Sequence, residues 1–245
     1  MRLPTEEILR RFGEKCEELG GESTIGITTG LCEDLPSFRE AIELRNFTGE
    51  LLKSGLEEHG EEELVLEIEA PSEKHYYEEY HEKIILGREK IYDYFSYHMS
   101  FGDIPEDISD RIAKTLEISS LLPEYRDYRN IKEVIKEKAK TKLNRYMWGV
   151  LRDVIKDTGF RESNFDIWCS PLTGGTTVKS LLSYRSPEEF LRGGSSIRKV
   201  VERLEGKIGE ISSERKKIVE EVVNLELGDL DRRIHRISEG VYLEE

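Results

Sequence analysis

The chain has 245 residues, 37% hydrophobic and 36% charged, with a formal net charge of −14, long enough for one large domain or two modest ones. That acidic balance argues against wholesale adhesion to nucleic acid or anionic lipid while leaving room for a local basic patch, and no apolar run nears the ~20 residues of a membrane-spanning helix. Abundant Glu and Lys, only four Ala and no Gln match the surface chemistry of heat-adapted proteins, where ion-pair networks gain weight.

Residues 5–19 read as a helix, with Ile8, Leu9, Phe12, Cys16 and Leu19 on one face. The opening MRLPTEEILRRF carries acids and no apolar core, so no secretory signal is expected and the cytoplasm is the expected compartment. Residues 23–28 suggest a short strand, followed by a turn at Thr29 and Gly30. Ser37 and Glu40 have capping-box spacing, which predicts a helix to residue 54. Residues 63–70 alternate, with Leu64, Leu66 and Ile68 on one side and Glu67 and Glu69 on the other, the mark of a half-buried strand. Residues 72–99 carry Tyr77, Tyr80, Ile84, Ile91, Phe95 and His98 at helical spacing and predict a long helix.

Beyond Pro105 helices dominate, with one short apolar segment at 165–170. Residues 130–157 hold one apolar face through Ile135, Leu143, Met147 and Val150. Gly193, Gly194, Ser195 and Ser196 read as a turn and helix cap. Ile197, Leu204, Ile211, Ile218 and Leu225 then recur every seven residues, a coiled-coil pattern broken at Arg215 and weakened by Gly206 and Gly209. The expected fold is mostly α with a small sheet, as α+β or a small α/β N-terminal part, ending in a long heptad-patterned helix. The expected division is 1–104 for the α/β part and 105–245 for the helical part, with a soft boundary.

The strongest functional signal is charge segregation. From Arg126 to Lys156 there are ten bases and four acids, whereas from Leu56 to Tyr80 there are ten acids and one Lys. A nucleic-acid-contacting helix would use Lys132, Lys136, Lys140 and Arg145 on phosphates, with Tyr146 and Trp148 stacking on bases. The plainer explanation is that such runs face water or each other. Two small-residue loops have the composition of phosphate cradles: Thr29–Gly30, and Thr173, Gly174, Gly175 and Thr176. Neither fits a phosphate-loop motif, and ordinary turn chemistry explains both.

Cys16, Cys32 and Cys169 are odd in number and form no CxxC pair, which predicts reduced thiols and no disulfide framework. Glu78 and His81 have the Glu-x-x-His spacing of helical di-metal sites, but the second copy is missing, so no metal is assigned. Glu67, Glu69 and Asp166 are strand carboxylates of the kind that hold metal in nucleases. The residues therefore support three readings. The first is an interaction or assembly protein that contacts nucleic acid through the basic helix or dimerises through the heptads. The second is an enzyme or sensor of phosphorylated small molecules, and the third is a metal-dependent nuclease. No cofactor is indicated, and whether the chain is an enzyme stays open.

Overall fold

The computed structural model describes residues 4–53, 63–71, 78–87, 90–120 and 131–241. In chain order the elements are α1 (Thr5–Glu18), β1 (Glu22–Ile25), β2 (Thr29–Glu33), α2 (Phe38–Lys53), β3 (Leu64–Pro71), β4 (Glu78–Leu86) and β5 (Ile91–Ser100). They continue with α3 (Glu106–Ser120), α4 (Ile131–Val154), β6 (Phe165–Ser170), β7 (Gly175–Tyr184), α5 (Pro187–Glu205) and α6 (Ile208–Val241).

The expected small sheet is wrong. Among the described residues seven strands form one mixed sheet in the order β1-β2-β3-β4-β5-β7-β6, and 24% of those residues are strand. The β2–β3 pair is parallel, while β1–β2, β3–β4 and β4–β5 are antiparallel. The main error is the long helix expected over 72–99, most of which is the hairpin β4–β5, with 72–77 and 88–89 outside the described residues. Along β5 the buried positions alternate as Ile91, Asp93, Phe95, Tyr97 and Met99; along β4 they are Tyr80, Glu82, Ile84 and Leu86. The acids Glu82 and Asp93 interrupt the apolar alternation, and the remaining apolar residues mimic a helical stripe.

The chain forms two compact units. The first comprises Met1–Met99, Val150–Trp168 and Thr177–Gly206; the second comprises Ser100–Gly149, Cys169–Thr176 and Lys207–Glu245. In the first unit, α1 lays Ile8, Leu9 and Phe12 towards β1 and β2, and α2 packs on β3 and α5. Ser37, at the head of α2, accepts from the Arg39 amide and hydrogen-bonds the Glu40 carboxylate, so the two capping-box residues meet. Cys16 and Cys32 form a disulfide that ties α1 to β2, contrary to the expected reduced thiols. Their separation of 16 residues and placement on a helix and a strand leave no local sequence signature. Cys169 is the free, buried cysteine.

In the second unit, α3 packs on α6. Ile135, Ala139, Leu143 and Met147 of α4 are buried, as are Ile211, Ile218, Val222 and Val223 of α6. The expected continuous heptad helix is interrupted: α5 ends at Glu205, Gly206 caps it, and α6 starts afresh at Ile208. Glycine weakens helix continuation by about 1 kcal/mol, and the break coincides with the division between the units. The heptad residues Ile197 and Leu204 are thus buried in one unit and Ile211 and Ile218 in the other, while Leu225 is 56% exposed. No helix among the described residues is long and apolar enough to cross a membrane.

Candidate functional site

The sheet of the first unit has one face built into the core and one open face. Strand alternation places Glu67 and Glu69 of β3, His81 and Lys83 of β4, and Tyr92 and Tyr94 of β5 on the open side. Lys179 and Leu181 of β7, with Asp166 and Trp168 of β6, continue the exposed alternation. Tyr94 is 41% exposed, Leu181 51% and Trp168 60%. Large apolar side chains gathered on one open face mark a contact surface more than scattered ones do. Trp168 is held in place: its indole N–H donates to Asp166 Oδ2 at 2.8 Å, and Lys179 Nζ lies 5.1 Å from the ring centroid. His98 Nδ1 meets Thr177 Oγ1 at 2.9 Å, linking β5 to β7 on this side.

At the β3–β4 end of the face, the antiparallel register sets Glu67 across from Lys83 and Glu69 across from His81. His81 Nε2 lies 3.4 Å from Glu67 Oε2 and 3.7 Å from Glu69 Oε1, and Lys83 Nζ lies 2.8 Å from Glu67 Oε1. The Lys83 hydrogen bond holds the Glu67 carboxyl below its ordinary range, with a smaller contribution from His81 against partial desolvation. One ligand atom from each of Glu67, Glu69 and His81 falls within 4.8 Å of the others, which makes the trio a candidate metal-holding group. Glu78 and His81 lie on a strand rather than a helix, so the helical spacing that motivates a Glu-x-x-His site does not apply to them. Asp166, the third carboxylate of the nuclease reading, is four strand steps away across the sheet, roughly 19 Å at ~4.8 Å per step.

The basic-helix residues do not form one stripe. At about 100° per residue, Lys132, Lys136 and Lys140 share a side of α4, while Arg145 points to the far side and Tyr146 and Trp148 elsewhere. Many of the charges are already engaged. Lys138 pairs with Glu226, Lys142 with Glu221 at 2.7 Å, and the Tyr146 hydroxyl donates to Glu210 at 3.0 Å, so α4 is laced to acids of α6. Lys136 and Lys140 pair with Glu133 and Glu137 of their own helix. Part of the basic segment thus pairs with acids of α6 and part with acids of α4 itself. Much of the acidic stretch from residue 56 to 80 lies outside the described residues.

Neither expected phosphate loop has a cradle's shape. Thr29 and Gly30 begin strand β2, and a Cβ on Gly30 would touch Leu66, Phe12 and Leu9, so Gly30 faces the core. Thr173 and Gly174 lie in the turn between β6 and β7, where Gly174 takes the left-handed φ of +93° that suits glycine. Gly175 and Thr176 open a strand, not a helix, and the Thr176 hydroxyl faces Cys169 Sγ at 3.6 Å. The favourable helix dipole of an anion site is missing there.

Sequence reading missed a buried charge cluster in the first unit. Arg45 of α2 donates through Nε to Glu82 Oε1 at 2.6 Å, through Nη2 to Asp93 Oδ2 at 2.8 Å and through Nη1 to the Phe190 carbonyl at 3.0 Å. All three charged side chains are fully buried. Tyr80 donates to the other Glu82 oxygen at 2.6 Å, and the Phe190 ring lies 3.8 Å from the guanidinium. Burial, then the neighbouring Asp93 carboxylate, push Glu82 well above its usual range despite Arg45. Gly193 and Gly194, expected to form a turn, lie inside α5 instead. A Cβ there would fall 2.2 Å from the Tyr184 hydroxyl and 2.3 Å from Arg45 Nη1 respectively, so the glycines make room for the cluster. The recoverable signal was the pair of acids standing in buried strand phase. The cluster is sealed from water and packs the core; the open face is where a ligand has access. Comparison of the chain with protein-family models, with curated proteins and with solved structures found no match.

Proposed function

We propose that this chain is a non-enzymatic interaction protein that assembles with a second copy of itself through the open face of the sheet. The observation that carries this reading is the exposure of Tyr92, Tyr94, Trp168 and Leu181 on that one face. Aromatic residues are enriched at interface cores, and a two-fold interface must be self-complementary. Acids Glu67, Glu69 and Asp166 interleaved with Lys83 and Lys179 supply both signs within the same surface. The heptad residues are a poorer dimer seam, because most of them are already buried within their own units.

At a net charge of −14 the copies repel at long range, so association should strengthen as salt screens that repulsion. Sedimentation at rising salt tests this: a dimer is expected, and Trp168→Glu with Leu181→Glu should return it to monomer with unchanged circular dichroism. A monomer at every salt and protein concentration would end the proposal. Nucleic-acid contact through α4 is the second reading, favoured by the exposure of Lys132 and Lys136 on one side of that helix. It predicts the opposite salt dependence, with affinity falling as salt rises. The cytoplasmic placement is kept with these proposals: disulfides persist inside cells of some heat-adapted organisms, which reconciles Cys16–Cys32 with the composition.

A further inference from the structure

We propose that Glu67, Glu69 and His81 form a binding site for a divalent transition-metal ion of the zinc class on the open face of the first unit. The proposal stands independently of self-association. Zinc bound by imidazole nitrogen and carboxylate oxygen has arms of about 2.0–2.2 Å, so neighbouring ligand atoms in a tetrahedron sit about 3.4 Å apart. The His81 nitrogen lies 3.4 Å from one carboxylate oxygen and 3.7 Å from the other, already close to that spacing. The backbone fixes this arrangement. Glu67 and Glu69 are two residues apart on β3 and so share a face, and His81 is the direct cross-strand partner of Glu69.

The donor set suits zinc or a neighbouring first-row ion better than magnesium, because an imidazole nitrogen replaces the all-oxygen shell magnesium prefers. The side chains are 18–32% exposed, so an ion can enter from solvent and keep one position for water or a partner's side chain. Lys83 takes Oε1 of Glu67 and leaves Oε2 turned to His81. Its ammonium beside that carboxylate repels a cation and lowers the affinity of the site.

The simpler alternative is a purely ionic group in which His81 and Lys83 balance the two acids, and metal binding separates the two explanations. Full-length protein stripped with chelator would be titrated with Zn²⁺ by calorimetry and with Co²⁺ by visible absorption. One saturable site with tetrahedral cobalt bands is expected. His81→Ala and Glu69→Gln should each weaken binding about tenfold or more, and Lys83→Met should bind at least as tightly as wild type. All three sites of substitution are partly exposed, and circular dichroism would confirm that the variants fold. Absence of saturable binding, or binding unchanged in both His81→Ala and Glu69→Gln, would overturn the assignment.

Discussion

Among the described residues each unit buries one arginine, and the two are satisfied in opposite ways. Arg45 in the first unit meets two carboxylates, both fully buried. Burial works against its charge, but Glu82 and Asp93 outweigh it and hold the guanidinium pKa above its ordinary value. Arg215 in the second unit is 1% exposed and donates to backbone carbonyls, to Pro171 from Nε at 2.7 Å and to Gly102 from Nη1 at 2.7 Å. Its Nη2 has no hydrogen-bond partner among the described residues. Burial pulls its pKa down, with Asp103 acting the other way. One arginine bridges carboxylates on the neighbouring strands β4 and β5; the other clamps two loops to a helix and explains why a charged residue interrupts the heptad pattern of α6. Buried charge is thus structural in both units, but only in the first is it matched by countercharge.

Removing each arginine should break this comparison unequally. Arg45→Met strands two carboxylates in the core, and loss of one partner of a buried ion pair costs about 3–5 kcal/mol. The variant should be the least stable of the set in urea melts. The triple change Arg45→Met, Glu82→Leu and Asp93→Leu should recover much of that loss, since well-packed apolar residues often replace buried ion pairs without cost. A triple variant no more stable than the single one would show that packing, not charge, governs the site. Next is the disulfide of the first unit, whose 16-residue separation implies about 3 kcal/mol from restricting the unfolded chain. Equal urea midpoints with and without reductant would deny it that role. Arg215→Met should cost less, about 1–3 kcal/mol, because two neutral carbonyls lose a donor and a poorly compensated charge leaves the core. If it matched or exceeded Arg45→Met in urea melts, the distinction between countercharge and carbonyl satisfaction would be lost.

The same buried charges mark where sequence reading succeeded and where it stopped. Periodicity was sufficient for α1, α4 and β3, whose inward positions are uniformly apolar: Ile8, Leu9 and Phe12; Ile135, Leu143 and Met147; Leu64, Leu66 and Ile68. It failed at β4 and β5 because Glu82 and Asp93 occupy inward positions that an apolar pattern would have filled, and Arg45, 37 and 48 residues earlier, makes them tolerable there. Gly193 and Gly194 misled for the same reason, since their lack of side chains serves Tyr184 and Arg45 rather than a turn. At the open face, alternation already put Glu67 and Glu69 together. His81 joins them only through strand pairing, a long-range fact that local spacing does not contain.

The smallest effect tests the charge balance of the first unit directly. One guanidinium facing two carboxylates leaves a surplus negative charge in the core, which is relieved when Glu82 keeps a proton. Its pKa in the fold is well above the usual 4.5, so above that pH the unfolded chain releases a proton that the folded chain retains. Stability from this group is complete below the unfolded value and declines as pH rises towards the folded one, by at most about 1.4 kcal/mol per pH unit. Glu67, whose pKa is lowered, contributes with the opposite sign and loses its effect as pH falls. The Glu82→Gln variant has no proton to lose at that position. Urea midpoints from pH 5 upward should therefore decline less for the variant than for wild type, while Glu67 affects both alike. Parallel profiles would place the retained proton elsewhere, and Arg45 would then be balancing two ionised carboxylates after all.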